Sequence, residues 1–207
     1  MTGLALPDAD DRADLGAFVA RVVRLDAAAT VRLRAGDGRV SAWASTPFDV
    51  LATRTVAGSL EPPDVTAPAA MLLTALTVER SATVDPGRGG LWAGDLPPDT
   101  GWALVDEVPS AELEALTERG LTVARESSGP HGMPPSLLDQ TVLTVTGGEP
   151  SITVKVPMRC LFALSGMGFI GADASPVRVS ATGSWLRLDA RYGAVARRRL
   201  TALPLLI

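Results

Sequence analysis

Four residue types that carry much protein chemistry occur once each in this chain: His131, Cys160, Tyr192 and Lys155. A single histidine excludes a histidine pair and a multi-histidine metal centre within one chain. A single cysteine excludes an internal disulfide and suits a reducing compartment. One cysteine and one histidine also fall short of a closed zinc site. The remaining nucleophile–base arrangement is Cys160 with His131. His131 lies in the Gly/Pro segment SSGPHGMPP, whereas Cys160 falls among apolar neighbours, the usual setting of a small core residue. Neither GxxxxGK[ST] nor a GxGxxG between strand and helix occurs, so no nucleotide cradle is indicated. Long apolar runs are missing too. The most apolar stretch, VTAPAAMLLTALTV, has fourteen residues, against the roughly 20 that span a bilayer. The first residues, MTGLALPDADD, have neither a basic start nor an apolar stretch of secretory length. The expectation is a cytoplasmic protein with no membrane association.

Aromatics make up 4% of the chain while apolar residues make up 46%, so the core is built mainly from Ala, Val and Leu. Mean hydropathy is +0.22 and excludes global disorder. The basic residues are eighteen arginines and one lysine, a ratio that high-GC codon usage produces and that is no evidence for nucleic-acid binding. Their placement says more. Residues 1–150 carry 11 basic and 21 acidic residues, a net of −10; residues 151–207 carry 8 and 2, a net of +6. Such a split suits either an anionic partner for the basic part or attraction between the two parts of the chain or of a dimer. The whole chain, at −4, repels a polyanion at long range, which favours the second.

Asp10 or Asp11 can cap a helix whose apolar residues Leu15, Phe18, Val19, Val22 and Val23 form one stripe. Strict alternation around Gly36-Asp37-Gly38 predicts a hairpin, and FDVLATRTVAG a third strand. The segment Ala69–Val78 reads as helix or buried strand. DPGRGGLWAGDLPPDTGW (85–102) reads as loop. Ser110 opens a short helix that Gly120 closes, and Ser136 caps a helix over Leu137–Val145. SITVKVP is a strand, Pro157 starts a helix with Met158, Leu161 and Phe162 on its apolar face, and further strands follow.

The two ends of the chain repeat one plan: helix, alternating strand, Gly-containing turn, Trp-bearing strand, third strand. Val31, Arg32, Leu33 and Ala35 match Val177, Arg178, Val179 and Ala181. Phe48, Leu51, Ala52 and Arg54 match Tyr192, Val195, Ala196 and Arg198. The expected fold is α+β, with antiparallel sheets packed against helices and two αβββ-like halves related by a pseudo-twofold axis. Residues 1–84 form the N-terminal half, 85–150 the Gly/Pro-rich loops with two helices, and 151–207 the C-terminal half, all in one globular unit. Strand parity puts Val31, Leu33, Val40 and Ala42, and again Val177, Val179, Leu186 and Leu188, on the core face. Trp43 with Arg32, Arg34 and Arg39, and Trp185 with Arg178 and Arg187, share the opposite face.

That face suits cation–π stacking and recognition of a protein partner. The alternative is that each Trp is buried under the other half or a second subunit. Trp92 and Trp102 either make the 85–102 loop a binding element or pin it to the body. Arg197, Arg198 and Arg199 are candidates for gripping phosphates, or alternate along an edge strand. The apolar stretch Leu200–Ile207 reads as docking into the core or a second subunit. Carboxylates such as Asp106, Glu107, Glu112, Glu114 and Glu118 read as a solvated loop and helix face. An acid–base site there, with arginines near the Gly/Pro loops, is the enzymatic alternative.

The WAGDLPPDTGW element (Trp92–Trp102), VPMR (Val156–Arg159), MGF (Met167–Phe169) and WLRLDARYG (Trp185–Gly193) resemble those of a family of uncharacterised actinobacterial proteins. The resemblance covers nearly the whole chain and implies no catalytic residues. The function expected is non-enzymatic protein binding or assembly, through Trp43, Arg32, Arg34, Trp185, Arg178, Arg187 and Trp92, with a homodimer possible and no metal or cofactor. The alternative is a regulator binding nucleic acid through Arg197–Arg199.

Overall fold

The computed structural model describes residues 2–78, 81–127, 133–170 and 175–199. In chain order these form β1 (Gly3–Ala5), α1 (Ala9–Leu25), β2 (Thr30–Gly36), β3 (Arg39–Ser45), β4 (Leu51–Ala57), β5 (Ser59–Glu61), β6 (Asp64–Pro68), α2 (Ala69–Val78) and β7 (Thr83–Val84). There follow β8 (Ala103–Val108), α3 (Ser110–Ser127), α4 (Pro135–Leu138), β9 (Thr141–Gly147), β10 (Ile152–Pro157), α5 (Met158–Gly166), β11 (Val177–Ala181), β12 (Trp185–Ala190) and β13 (Gly193–Arg198).

Eight strands make one antiparallel sheet in the order β6-β2-β3-β4-β13-β12-β11-β8. Its symmetry follows from the chain. In the N-terminal half α1 precedes β2-β3-β4, and β6, which leads into α2, adds beside β2. In the C-terminal half α5 precedes β11-β12-β13, and β8, which leads into α3, adds beside β11. The halves meet at the β4–β13 ladder, where Leu51 pairs with Ala196 and Ala52 with Val195. Exchanging 51 with 195 and 52 with 196 swaps these two pairs, so the pseudo-twofold axis passes between them. This is the equivalence expected from sequence. The fold is α+β, with antiparallel sheets packed against helices and two αβββ-containing halves.

The helices cover one face, α1 packing on α2 and across β4, α5 on α3 and across β13. The core runs through both halves: Phe18 of α1 stacks on Phe169 at 6.3 Å, and Phe48 tilts against Phe162 at 5.9 Å. Arg12 ties α1 to α2 by donating to the carbonyls of Leu76 and Ala75, at 2.9 and 3.2 Å. Two smaller sheets flank this body, β5-β1-β7 and the hairpin β9-β10.

Local chemistry explains the elements and several departures from expectation. The β2–β3 turn is two residues, Asp37 and Gly38, both at positive φ, as a tight hairpin turn demands. Asp8, rather than Asp10 or Asp11, caps α1, its carboxylate accepting from the Asp10 N–H at 2.7 Å. Ala69–Val78 is helix. Gly120 does not end α3 but lies within it, where a Cβ would meet the Met158 Cε at 2.4 Å, so its missing side chain admits α5. The helix expected over Leu137–Val145 is the short α4 followed by strand β9, because TVLTVTG alternates and is rich in β-branched residues. Among the described residues no helix is long and apolar enough to cross a membrane.

Candidate functional site

Parity is as expected: Val31, Leu33, Val40, Ala42, Val177, Val179, Leu186 and Leu188 are buried under the helices. Trp43 and Trp185 face the other way but are only 6% exposed. With Ala196 they form a second apolar cluster, against which Leu51, Trp92, Leu96 and Trp102 pack. The 85–102 segment is thus a strap over the outer face. Arg34 pairs with Asp99 at 3.4 Å, Arg198 pairs with Asp95, and the Arg187 guanidinium lies over the Trp102 ring at 5.8 Å. Arg198 also stacks on Trp185 at 5.2 Å, and the Trp102 indole donates to the Pro98 carbonyl at 2.9 Å. Both tryptophan-bearing strands therefore lie beneath the strap, and Trp92 is half-buried within it.

Arginines of this face also meet carboxylates of the sheet. Arg32 forms a bidentate pair with Asp64, with N···O distances of 2.7 and 2.9 Å. The side-chain hydrogen bond is the main cause that raises the Arg32 pKa and lowers that of Asp64. Arg187 also contacts Asp189 at 2.7 Å, and Arg178 approaches Glu107 at 3.9 Å. Leu91, at the strap's start, is 94% exposed.

The arginine run near the end of the described chain is divided by the strand's two-residue period. Arg198 is on the outer face with Trp185 and Asp95. Arg197 is on the helix side, 3.3 Å from Asp49 and 3.6 Å from Asp139. Arg159, only 7% exposed at the start of α5, shares the same carboxylates at 3.4 and 2.6 Å and donates to the Phe48 carbonyl at 2.9 Å. Asp49 is held for this by a tight turn in which both the Thr46 N–H and its hydroxyl donate to Val50 O; its φ of 56° is one an Asp tolerates. The sequence singled out neither Asp49 nor Asp139. Their signal was weak, a lone turn carboxylate after Pro47-Phe48 and another just past a four-residue helix.

Beside this quartet opens a groove of about 460 Å³, lined by Lys155, Thr153 and Thr141 of the β9–β10 hairpin and by Arg197, Arg199 and Leu186 of the main body. Arg199 donates to the carbonyls of Thr182 and Thr153 at 2.9 and 3.0 Å, stitching the hairpin to the sheet. Lys155 has no ion-pair partner among the described residues. A second groove, of about 610 Å³, runs along β4 and β13 on the other side of Arg197 and Arg198, between the Thr46–Val50 turn and strap residues 93–95.

Cys160 is 1% exposed, and burial pushes its thiol up to about 12, so the thiolate nucleophile is suppressed at neutral pH. His131 and the Leu200–Ile207 stretch lie outside the described residues. Among the described residues no three His, Cys, Asp or Glu side chains are grouped to hold a metal.

The profile of the family described as a domain of unknown function (DUF8185) matches residues 97–202, and that of a second, also a domain of unknown function (DUF8010), matches residues 1–93. No curated protein matches the sequence. Among solved structures, the fold is similar to that of DNA polymerase sliding clamps. The clamp of Caulobacter crescentus is 17% identical at a TM-score of 0.59, covering 99% of this chain and 67% of the clamp chain. That of Bacillus subtilis is 14% identical at 0.60, covering 98% and 65%. The polymerase III subunit beta of Pseudomonas aeruginosa is 14% identical at 0.56, covering 99% and 66%. The chain thus spans about two thirds of the length of the clamp chains it matches. Identities this low establish the fold alone.

Proposed function

We propose that this chain, which belongs to the family described as a domain of unknown function (DUF8185), is a non-enzymatic protein-binding and assembly module on a sliding-clamp-like scaffold. The observation that carries the reading is the β4–β13 ladder, which fuses two halves into one eight-stranded sheet with helices on a single face. With the 85–102 strap packed over Trp43 and Trp185, such a sheet presents a broad outer surface better suited to holding a partner than to enclosing a small substrate. The groups a reaction would need point the same way, since the cysteine is buried and protonated and the quartet's carboxylates are engaged by arginines.

The contact surface in this reading is the strap and its surround: exposed Leu91 beside Trp92, with Arg32, Arg34, Arg178 and Arg187 around it and Trp43 and Trp185 as its rigid floor. A protein partner suits this mixture of apolar anchor and arginine rim. The setting is the cytoplasm of an actinobacterium, in keeping with one cysteine and eighteen arginines to one lysine, and a homodimer is the simplest assembly. Nucleic acid is the poorer candidate, because Arg197 and Arg198 project to opposite faces and each already meets a carboxylate. The test is capture from actinobacterial lysate at about 0.1 M and about 1 M salt, between which the Debye length falls from about 10 to about 3 Å. The expected result is a discrete protein retained at high salt and lost with Leu91→Glu, with the dimer read by light scattering. Recovery of nucleic acid alone, at low salt alone, would overturn it.

A further inference from the structure

Among the described residues, the outer edge of β10 in the β9–β10 hairpin pairs with no further strand. In the sheet to which β10 belongs, its hydrogen-bonded neighbour is β9. Thr153 O accepts from the Arg199 guanidinium, and both residues line the groove. Lys155, two residues further along the strand, lines it too. Val154 and Val156, alternating with them, are buried and fix the strand in register. The groove thus has β10 along one wall, its outer edge without a second strand among the described residues, and Leu186 in its lining. Its charged residues are Lys155, Arg197, Arg198, Arg199 and Asp139; Arg197 meets Asp49 and Asp139 and Arg198 meets Asp95, which leaves Lys155 and Arg199 without an ion-pair partner among the described residues. The Thr141 and Thr153 hydroxyls line the same space.

We propose that this groove takes an extended acidic segment of a partner protein, which adds as a strand to the open edge of β10 and sets its carboxylates against Lys155 and Arg199. The inference rests on the protein-binding reading but not on the strap surface. Two features select this occupant. An open strand edge offers main-chain hydrogen bonds to an extended peptide, and an excess of positive charge with a free ammonium favours carboxylate side chains over neutral or basic ones.

The chain's single lysine makes the test direct. The probe is a fluorescent heptapeptide of alternating Glu and Val, blocked at both ends, titrated into the full chain and followed by anisotropy. Controls are the matching Lys/Val peptide and a Glu/Val peptide N-methylated at alternate backbone nitrogens. The expected result is binding of the Glu/Val peptide, weakened about tenfold or more by Lys155→Glu and abolished by N-methylation, with acylation of Lys155 slowed when peptide is bound. Binding of the N-methylated peptide as tight as that of the parent would reduce the effect to unspecific attraction and overturn strand addition. So would an unchanged affinity for Lys155→Glu, or no binding by the parent peptide. Truncation after Arg199 is the control for a competing segment of the chain itself: a tenfold gain in peptide affinity would assign the groove to residues 200–207 and sink the partner. Lysate capture that persists in Lys155→Glu while the peptide fails would leave the protein-binding reading standing and remove this one.

Discussion

Ala52 of β4 lies directly opposite Val195 of β13, and both are at most 1% exposed. This pair sits beside the pseudo-twofold axis, where the two halves become one sheet and one core. A carboxylate introduced there has neither water nor a partner. Ala52→Asp is expected to cost about 4 kcal/mol or more, the range of an unpaired buried charge. Urea unfolding should show a single transition in the parent, since Phe18 and Phe169 stack across the halves. Separate transitions in the parent would mean that the halves are independent.

The Arg159–Asp139 pair argues a different point. Arg159 is enclosed and Asp139 half exposed, so removing the acid leaves a buried guanidinium with Asp49 at 3.4 Å and the Phe48 carbonyl, its Nε already lacking an acceptor among the described residues. Asp139→Ala is expected to lose about 1 to 3 kcal/mol, because water reaches the carboxylate side of the pair. Arg159→Met, which removes the charge and keeps the bulk, is expected to lose less. The comparison of midpoints in denaturant decides whether desolvation or packing dominates there.

Two glycines give opposite expectations for one substitution. A Cβ on Gly147 would sit 2.1 Å from the Val105 carbonyl oxygen, a backbone atom of β8 that cannot turn aside. On Gly120 it would meet the end of the Met158 side chain, which can. Gly147→Ala should therefore cost about 1 to 3 kcal/mol by prying the hairpin from β8, and Gly120→Ala markedly less. Equal thermal shifts for the two would contradict this account.

Period-2 alternation made the hairpin and the core-facing residues legible in sequence, because a register slip would turn Val31, Leu33, Val40 and Ala42 to solvent. The repeated spacing of Leu51–Arg54 and Val195–Arg198 matched residues that the axis relates, but where the axis passes needs the β4–β13 pairing. What escaped was long-range. Nothing local says that the 85–102 strap lies over Trp43 and Trp185, or that Asp49, far along the chain from Arg197, pairs with it. Strand alternation divides the Arg197–Arg199 run between two faces, but nothing local tells that β13 lies inside the sheet, between β4 and β12, rather than at its edge. Gly120 misled because α3 needs its small size for packing, not for ending the helix.

The Cys160 thiol supplies the last prediction. Burial raises its pKa to about 12, opposed by the nearby charges of Arg197 and Arg159. In the unfolded chain a thiol titrates near 8.5. The folded form therefore holds its proton more tightly, and the stability from this group is fully present below about pH 8.5 and lost as pH rises toward about 12. At neutral pH the same burial shields the sulfur from reagents. Ellman's reagent should find no reactive thiol in the native protein at pH 8 and one per chain in denaturant. The native rate should follow global unfolding, so Ala52→Asp should accelerate it in proportion to its loss of stability. Rapid native labelling, unaffected by that substitution, would show instead that solvent reaches Cys160 by local opening of α5.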